Sequence, residues 1–598
     1  MSGARQTLGF GQQPLRDQHG RRPDIVVLNN FSALPTITPA QGPRVLGLLR
    51  RAGLSAAQWD VNLLLWRTLL DRPLWRELAD HHPSAAVRSA ARELVDDVTR
   101  AAEALSGDER DLEQLDFAAR VVDRIGELLF AGTLTAQGLA FDVESSERLF
   151  ELASCPQTNA LLGLYDRLVR PRLVEAAPRI VSIDMTVASD AFACATLNLL
   201  LHRWLPDAHI NFSGLGSDDI DFGRAREQLF EDPGSFLGFD SVFMTCDDEA
   251  LCQLYAQNPI TEAQLSAVPS LAYRTQGRTI INAPRPDEAE QVHLDAAADY
   301  DGLDLDAYFF PQRILVERAT TGCWWRRCTY CSINSARSAF RAVRAEVLVE
   351  RLARVQHEHG FRALHLVDEA LPPGFVRAFC AGLRERQLDY VWSCRMRIEK
   401  AVDRELLQTM YDAGCRLICF GLETVTPRLL RMIDKTPDPD GYEVLAERIV
   451  DDASAVGIGL HLCVIVGLPG ETSADRQHLV RFFRRQRERF ARRPSFVAVN
   501  RFVLTATSAM FRDRPRFGIE EALRPQRFTT CGTYGLGEFT FPQVDTSALA
   551  EELATTAEAI EAQLANPRSR KYWQLCNVNA LELAAQGRYP DHNPFAPC

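Results

Sequence analysis

Three cysteines fall within nine residues of one stretch, Thr321-Gly-Cys323-Trp-Trp-Arg-Arg-Cys328-Thr-Tyr330-Cys331-Ser-Ile. Four residues separate the first pair and two the second, so one loop can aim three sulfurs at a single centre. That is ligand spacing for a soft metal, since thiolates select zinc, copper(I) or iron–sulfur clusters. A structural zinc site closes with four ligands, and no fourth Cys or His stands nearby in the sequence. An iron–sulfur cube held by three cysteines instead leaves one iron open to an external ligand, as a catalytic cluster needs. We read Cys323, Cys328 and Cys331 as the ligands of such a cluster, against the plainer alternatives of a zinc ion or chance spacing.

The elements that must position this loop follow a regular alternation. A strand over Arg313–Thr320 runs into the loop, and a helix over Ala345–His359 leads to a strand over Ala363–Val367 ending at Asp368-Glu369. Helix Gly374–Arg386 leads to strand Tyr390–Cys394 and Arg395-Met-Arg397, and helix Arg404–Ala413 to strand Leu417–Phe420 and Gly421-Leu-Glu423. Helix Tyr442–Ala455 leads to strand Leu460–Val466 and Gly467-Leu-Pro-Gly470-Glu471, and helix Ser473–Glu488 to strand Phe496–Val503. Six βα units in this order specify a parallel barrel or partial barrel, in which chemistry gathers at the carboxyl ends of the strands. Those ends carry the three cysteines, Asp368, Glu369, Arg395, Arg397, Glu423 and Glu471. For Glu423 and Arg397 the bland alternative is a salt bridge at the barrel rim, and Glu471, after a Pro-Gly turn, reads as a helix cap.

The preceding half is also α/β. Pro23-Asp-Ile-Val-Val-Leu28 is a β-branched run suited to a buried parallel strand. A helix over Pro39–Arg51 and a strand over Ala57–Val61 follow, and residues 63–175 carry Leu, Ala, Arg and Glu at helical spacing, a helical insertion. Strands resume at Arg179–Met185, His209–Ser213 and Ser241–Thr245. The turns after these strands, Asn29 to Leu34 with Asn30, Thr186 to Ser189, Gly214-Leu-Gly216 and Thr245 to Glu249, lie at the edge where open doubly wound sheets bind ligands. This half is therefore read as a binding domain for a large cofactor. Gly214-Leu-Gly216 lacks the third glycine of a dinucleotide fingerprint, and no phosphate loop is present, which disfavours a nucleotide.

Four segments are expected: a Rossmann-like domain over 20–260, a linker rich in Pro, Gly, Ala and Asp over 261–306, a barrel over 307–517, and a small α+β segment over 518–598 with a helix at Ser547–Leu564. Cys531 and Cys598, in a loop and the tail, have no evident chemical role. A length of 598 residues suits several domains, and 46% hydrophobic with 24% charged residues is ordinary for globular protein. A net charge of −12 argues against nucleic acid as the main partner. No apolar run reaches membrane-spanning length, and a cytosolic location is expected.

Residues 313–504 resemble the radical S-adenosylmethionine (SAM) core. The Cys-x-x-Cys ending with Tyr330 between its ligands, Gly421-Leu-Glu423 and Gly467-Leu-Pro-Gly470-Glu471-Thr472 carry the resemblance. One departure is the gap of four residues between the first two cysteines, where that family usually has three. Thr321-Gly-Cys323-Trp-Trp and Val367-Asp-Glu-Ala370 resemble phrases of the cobalamin-dependent branch, whose amino-terminal half precedes the barrel as residues 23–257 do here. The resemblance implies a [4Fe-4S] cluster on Cys323, Cys328 and Cys331, SAM beside Tyr330, Arg397 and Glu423, and cobalamin on the amino-terminal turns, with Asp368 and Glu369 toward corrin or substrate. Asp207-Ala-His209-Ile-Asn-Phe212 partly matches a cobalt-ligating signature, but it lacks the glycine and sits where a strand begins, so no protein imidazole on cobalt is expected. Trp324 and Trp325 are expected to shield the cluster. The implied activity is a cobalamin-dependent methyl transfer from SAM to a carbon of a peptide or small natural product, with a non-methylating rearrangement or cyclisation as the alternative. Its implied redox partner is an external electron donor of flavodoxin or ferredoxin type.

Overall fold

A computed structural model describes residues 13–107, 112–130, 134–135, 138–139, 146–184, 191–212, 238–243, 248–283, 297–309, 313–331, 333, 340–502, 504, 508–519 and 546–563. The chain divides near Pro311 into two compact units, each built on its own sheet.

The first unit begins with β1 (Ile25–Asn29), the helix Gln41–Arg51 and β2 (Ala56–Asp60). Ile25 to Leu28 are at most 1% exposed, which is why this strand reads as an unbroken apolar run: helices cover both faces of a parallel sheet. The expected helical insertion is present. It comprises helices Val61–Leu69, Arg72–His81, Ala85–Ser106, Leu112–Leu129, Ser146–Ser154, Leu161–Leu168 and Arg170–Ala176, with a two-residue ladder of β3 (Leu134–Thr135) and β4 (Gly138–Leu139). The sheet resumes with β5 (Ile180–Asp184), β6 (His209–Phe212) and β7 (Ser241–Phe243).

The stretch expected as a linker is not one over its first part. Helix Glu262–Ser266 and the strands β8 (Leu271–Thr275) and β9 (Arg278–Ile281) extend the sheet, giving the order β2-β1-β5-β6-β7-β8-β9 with the last two antiparallel. Its turn residues close a hairpin. Gln276 and Gly277 have φ of 49° and 74°, the paired positive values of a two-residue type I′ turn. Residues 297–309 also return to this unit: Gln58 Nε2 donates to the carbonyls of Asp299 and Asp301 at 2.8 and 2.7 Å, and the Tyr308 hydroxyl donates to Asp60. The five parallel strands have the doubly wound order 2-1-3-4-5, whose ligand crevice opens at the carboxyl ends of the first and third strands, here β1 and β5.

The second unit holds β10 (Ile314–Glu317), a two-residue ladder of β11 (Thr320–Thr321) and β12 (Arg341–Ala342), then β13 (Ala363–Leu366), β14 (Val391–Arg397), β15 (Cys415–Glu423), β16 (Gly459–Val466) and β17 (Phe496–Arg501). Its six-stranded sheet runs β10-β13-β14-β15-β16-β17, parallel throughout, the expected partial barrel. Helices Ala345–His359, Pro373–Glu385, Arg404–Asp412, Tyr442–Val456 and Ser473–Phe490 alternate with the strands. Caps set some of their bounds: the Asp403 side chain accepts from Leu406 N, and Thr472 with Asp475 forms a capping box. β14 and β15 are longer than the sequence suggested, so Arg395, Arg397 and Glu423 lie within strands rather than beyond them. Gly414 immediately precedes β15 at φ 93°, where a Cβ would stand 2.0 Å from the Tyr390 carbonyl oxygen.

The carboxyl-terminal segment is not a body of its own where it is described. Helix Thr546–Glu561 belongs to the barrel unit. Its Glu552 pairs with Arg476, and its Leu553 lies 3.0 Å from where a Cβ on Gly467 would be. Cys531 and Cys598 lie outside the described residues. Among the described residues no helix is long and apolar enough to cross a membrane.

Candidate metal centre

The cysteine loop leaves the barrel after β10 and is closed at its base by β11 and β12. Asp368, at the end of β13, fastens that base. It is fully buried and accepts hydrogen bonds from Ala319 N at 2.9 Å, from Thr320 N, and from Thr320 Oγ1 at 2.7 Å. Burial pushes its carboxyl up to about 6, against the pull of the Thr320 and Ala319 donors. Oδ1 thus serves backbone N–H groups that would otherwise be buried unpaired, while the buried Oδ2 makes no hydrogen bond among the described residues. Glu369, the next residue, is half-buried and close enough to Cys331 to disfavour its thiolate.

The loop rests on the segment following the helix Pro427–Met432. Thr329 N donates to Ile433 O at 3.0 Å, Thr329 Oγ1 to Met432 O at 3.1 Å, and Trp325 Nε1 to Asp434 O at 2.8 Å. Arg327 Nε donates to Asp434 Oδ2 at 3.0 Å. From β14, Arg397 reaches under the loop: its guanidinium donates to the Lys435 carbonyl and approaches Cys328 Sγ at 3.9 Å. It also lies 4.5 Å from the Trp325 ring centroid and 5.5 Å from that of Trp324. The two indoles pack edge to face at 6.2 Å, an apolar wall against one side of the loop.

Glu423 ends β15 at φ 60° and folds its side chain back over Gly421. Its Oε1 takes Lys435 Nζ at 2.8 Å, and both side chains are under 10% exposed. A Cβ on Gly421 would fall 2.4 Å from Glu423 Oε1 and 2.8 Å from Lys435 Nζ, so a side chain there would displace the ends of this pair. Tyr330 completes the group by hydrogen-bonding Glu423, and burial together with that carboxylate holds its phenol well above its ordinary value. Burial works against the Lys435 charge, but Glu423, with Cys328 and Tyr442 adding, holds the ammonium above its ordinary range. Lys435 is the residue that sequence reasoning missed. It follows an unremarkable helix in Arg-Met-Ile-Asp-Lys435-Thr-Pro, with no periodicity or ligand type to single it out.

The donor set fits a cluster better than a single ion. Sulfurs bound to one ion at about 2.3 Å stand about 3.8 Å apart. Among the described residues the loop cysteines are not a group whose ligand atoms all lie within 4.8 Å of one another. A set of thiols not gathered on one point suits a cube, which takes each sulfur on a separate iron. Burial raises the Cys328 thiol, opposed by Lys435 and Arg397, and pushes Cys331 up to about 12 with Cys328 adding. These thiols therefore release protons when a metal binds.

The candidate cofactor edge of the first unit is described only in part. Thr186, Ser189, Gly214, Gly216 and Thr245 lie outside the described residues. Asn30 is 2% exposed. Its Oδ1 accepts from the Tyr165 hydroxyl at 2.7 Å and its Nδ2 donates to Cys194 Sγ at 3.5 Å. Leu34 is buried in the same turn. Both were expected to touch the cofactor; their side chains tie this turn to the helical insertion and the core. Glu249 is exposed on the first turn of helix Asp248–Tyr255. His209 opens β6, with Nε2 2.7 Å from Ser241 Oγ, and burial keeps its imidazole neutral. It stands at the amino end of its strand, opposite the ligand edge. Glu471 accepts from Gly467 N at 2.6 Å and pairs with Arg476 at 3.6 Å, so it closes its own turn while Thr472 caps the helix.

Residues 318–483 match the Radical SAM superfamily. An uncharacterized methyltransferase of Pyrococcus horikoshii is 26% identical over 227 residues, 37% of this chain and 47% of that protein. The ribosomal protein uS12 methylthiotransferase RimO of Solibacter usitatus is 26% identical over 188 residues, 29% of this chain and 39% of that protein. The matched stretches thus span less than half of these curated relatives. The radical SAM methyltransferase TsrM from Kitasatospora setae, solved with cobalamin and a [4Fe-4S] cluster, aligns with a TM-score of 0.54 at 14% identity, over 92% of this chain and 90% of its own. The cobalamin-dependent SAM radical enzyme OxsB, solved with aqua-cobalamin and SAM, aligns with a TM-score of 0.51 at 15% identity, over 74% and 69%. Residues 318–483 thus carry a Radical SAM superfamily domain, in a chain that shares the fold of the cobalamin-dependent enzymes TsrM and OxsB.

Proposed function

We propose that this protein is a cobalamin-dependent radical SAM methyltransferase acting on a carbon of a peptide or small natural product. The observation that carries the reading is the loop of Cys323, Cys328 and Cys331 at the carboxyl end of β10, with no other Cys or His between Thr320 and Ala342. That donor set leaves a corner of a [4Fe-4S] cube for SAM. When bound, the cluster supplies the electron that cleaves SAM to a 5′-deoxyadenosyl radical, and cobalamin supplies the carrier for the methyl group.

The chain's own residues hold and insulate. Arg397, beside Cys328 Sγ, places a positive donor at a ligand sulfur, which raises the potential of a cluster there. Trp324 and Trp325 keep water from that side of the loop. Glu423, oriented by Lys435 and Tyr330, is placed to accept from the ribose hydroxyls or amino group of SAM. Cobalamin is assigned to the first unit on its 2-1-3-4-5 strand order and the crevice between β1 and β5. The electron enters from an external flavodoxin- or ferredoxin-type donor.

The test is anaerobic incubation of the reconstituted protein with SAM, a low-potential reductant and candidate peptides. Formation of S-adenosylhomocysteine together with 5′-deoxyadenosine supports methyl transfer. 5′-Deoxyadenosine alone assigns a rearrangement or cyclisation instead, and no SAM consumption overturns both.

A further inference from the structure

A second set of soft ligands lies on the barrel strands, apart from the cysteine loop. Cys419 on β15 stands opposite His461 on β16, and Cys463 lies two residues farther along β16. Their ligand atoms, two Sγ and one imidazole nitrogen, all fall within 4.8 Å of one another. The two sulfurs are 3.7 Å apart, and the Cys463 and His461 side chains are hydrogen-bonded. Two sulfurs bound at about 2.3 Å to one tetrahedral ion stand about 3.8 Å apart. The strands therefore already hold this pair at the edge length of a zinc tetrahedron, whereas a disulfide would need them about 2.05 Å apart.

The direction of these side chains follows from strand alternation. Ile418, Phe420, Leu462 and Val464 are at most 1% exposed, filling the face under the helices. Cys419 and Cys463 are only half-buried and so face the barrel interior. Arg395, opposite Cys419 on β14, is close enough to favour its thiolate. On the interior side of β13 and β14, His365 Nδ1 lies 2.6 Å from Ser393 Oγ. Two thiols packed as small hydrophobes would explain burial, but not an imidazole and two sulfurs converging within bonding reach of one point.

We propose that Cys419, His461 and Cys463 form a zinc site on the barrel interior, with a fourth position open to water or to a donor atom of the bound substrate. Two cysteines and a histidine with one open position are a catalytic zinc donor set. This reading does not depend on the methyltransferase assignment, because it uses neither the loop cysteines nor the cobalamin edge.

The test uses the full-length chain carrying C323A/C328A/C331A, which removes the loop thiols as competing ligands. After incubation with zinc sulfate and desalting, elemental analysis should find about one zinc per chain, and zinc-edge X-ray absorption should find about two sulfur neighbours near 2.3 Å and a nitrogen shell near 2.0 Å. Adding C419S and C463S should lower zinc occupancy at least about tenfold. Zinc retained in that variant, or absent from the loop variant, overturns the proposal. Should the loop variant fail to fold, the iron-loaded wild-type chain replaces it: zinc held beside iron and lost on H461A supports the site, and iron without zinc rejects it. Iron content and SAM cleavage are read in parallel on the wild-type chain, so a wild-type chain that has both but never takes up zinc sinks this site alone.

Discussion

The ligand edges of the two α/β units handle buried polarity in opposite ways. In the first unit the described edge residues neutralise one another: Asn30 is held by Tyr165 and Cys194, and Asp60 accepts from Asn29 Nδ2 at 2.9 Å, Leu63 N at 2.8 Å and Tyr308. In the barrel unit, Arg397, Lys435 and Glu423 keep formal charges under 10% exposure beside three thiols. Burying charge is costly unless it is paired and hydrogen-bonded, so the described residues of the second edge hold their charges in one mutually paired group.

Four experiments break or sharpen this contrast. The largest effect belongs to C328A, which should abolish the iron–sulfur absorption band and lower SAM cleavage by roughly a thousandfold or more, read by optical spectra and 5′-deoxyadenosine yield. Next, K435M strands the Glu423 carboxylate and should cost about 3–5 kcal/mol in denaturant unfolding, whereas K435M/E423L should recover most of it. A double variant as unstable as the single one would mean that the pair is not the unit. N30A, in the first unit, should cost only about 1–3 kcal/mol through the loss of Tyr165's partner, with cobalamin content unchanged by its absorbance. Cobalamin lost from stable N30A protein would return Asn30 to the cofactor site.

The smallest effect concerns pH. Burial pushes Glu471 up to about 7 from 4.5, opposed by Gly467 N and Arg476. A raised carboxyl means that the folded state binds the proton more tightly, so this contribution to stability is complete below about pH 4.5 and is lost as pH rises through about 7. E471Q keeps an acceptor for Gly467 N and should flatten that slope in urea midpoints measured between pH 5 and 8. An unchanged slope would show that Glu471 does not titrate there.

The barrel was legible in the sequence because each strand is a short apolar run followed by a helix of regular period, and because three thiols in one loop have few structural uses. The strand ends at Arg397 and Glu423 were found for the same reason. Lys435 was not, since its role depends on a turn that brings it back over Gly421, a tertiary fact without local pattern. The hairpin at Gln276-Gly277 was hidden by composition: glycine and proline mark turns inside a sheet as well as linkers. The structural bonds of Asp368 and Asn30 were not legible, because a polar residue at a strand end ties the fold together as readily as it binds a ligand. Cys419 and Cys463 stand in apolar strands with no local pattern to mark them; only the pairing of β15 with β16 brings Cys419 beside His461 and Cys463.

The central claim is that the cysteine loop carries a cluster with one iron open to SAM. Electron paramagnetic resonance of the anaerobically reconstituted, dithionite-reduced protein, recorded with and without SAM, tests it most directly. The account predicts a reduced [4Fe-4S] signal whose g-values shift when SAM is added. A signal unchanged by saturating SAM, or a loop that holds zinc and no iron, would contradict it.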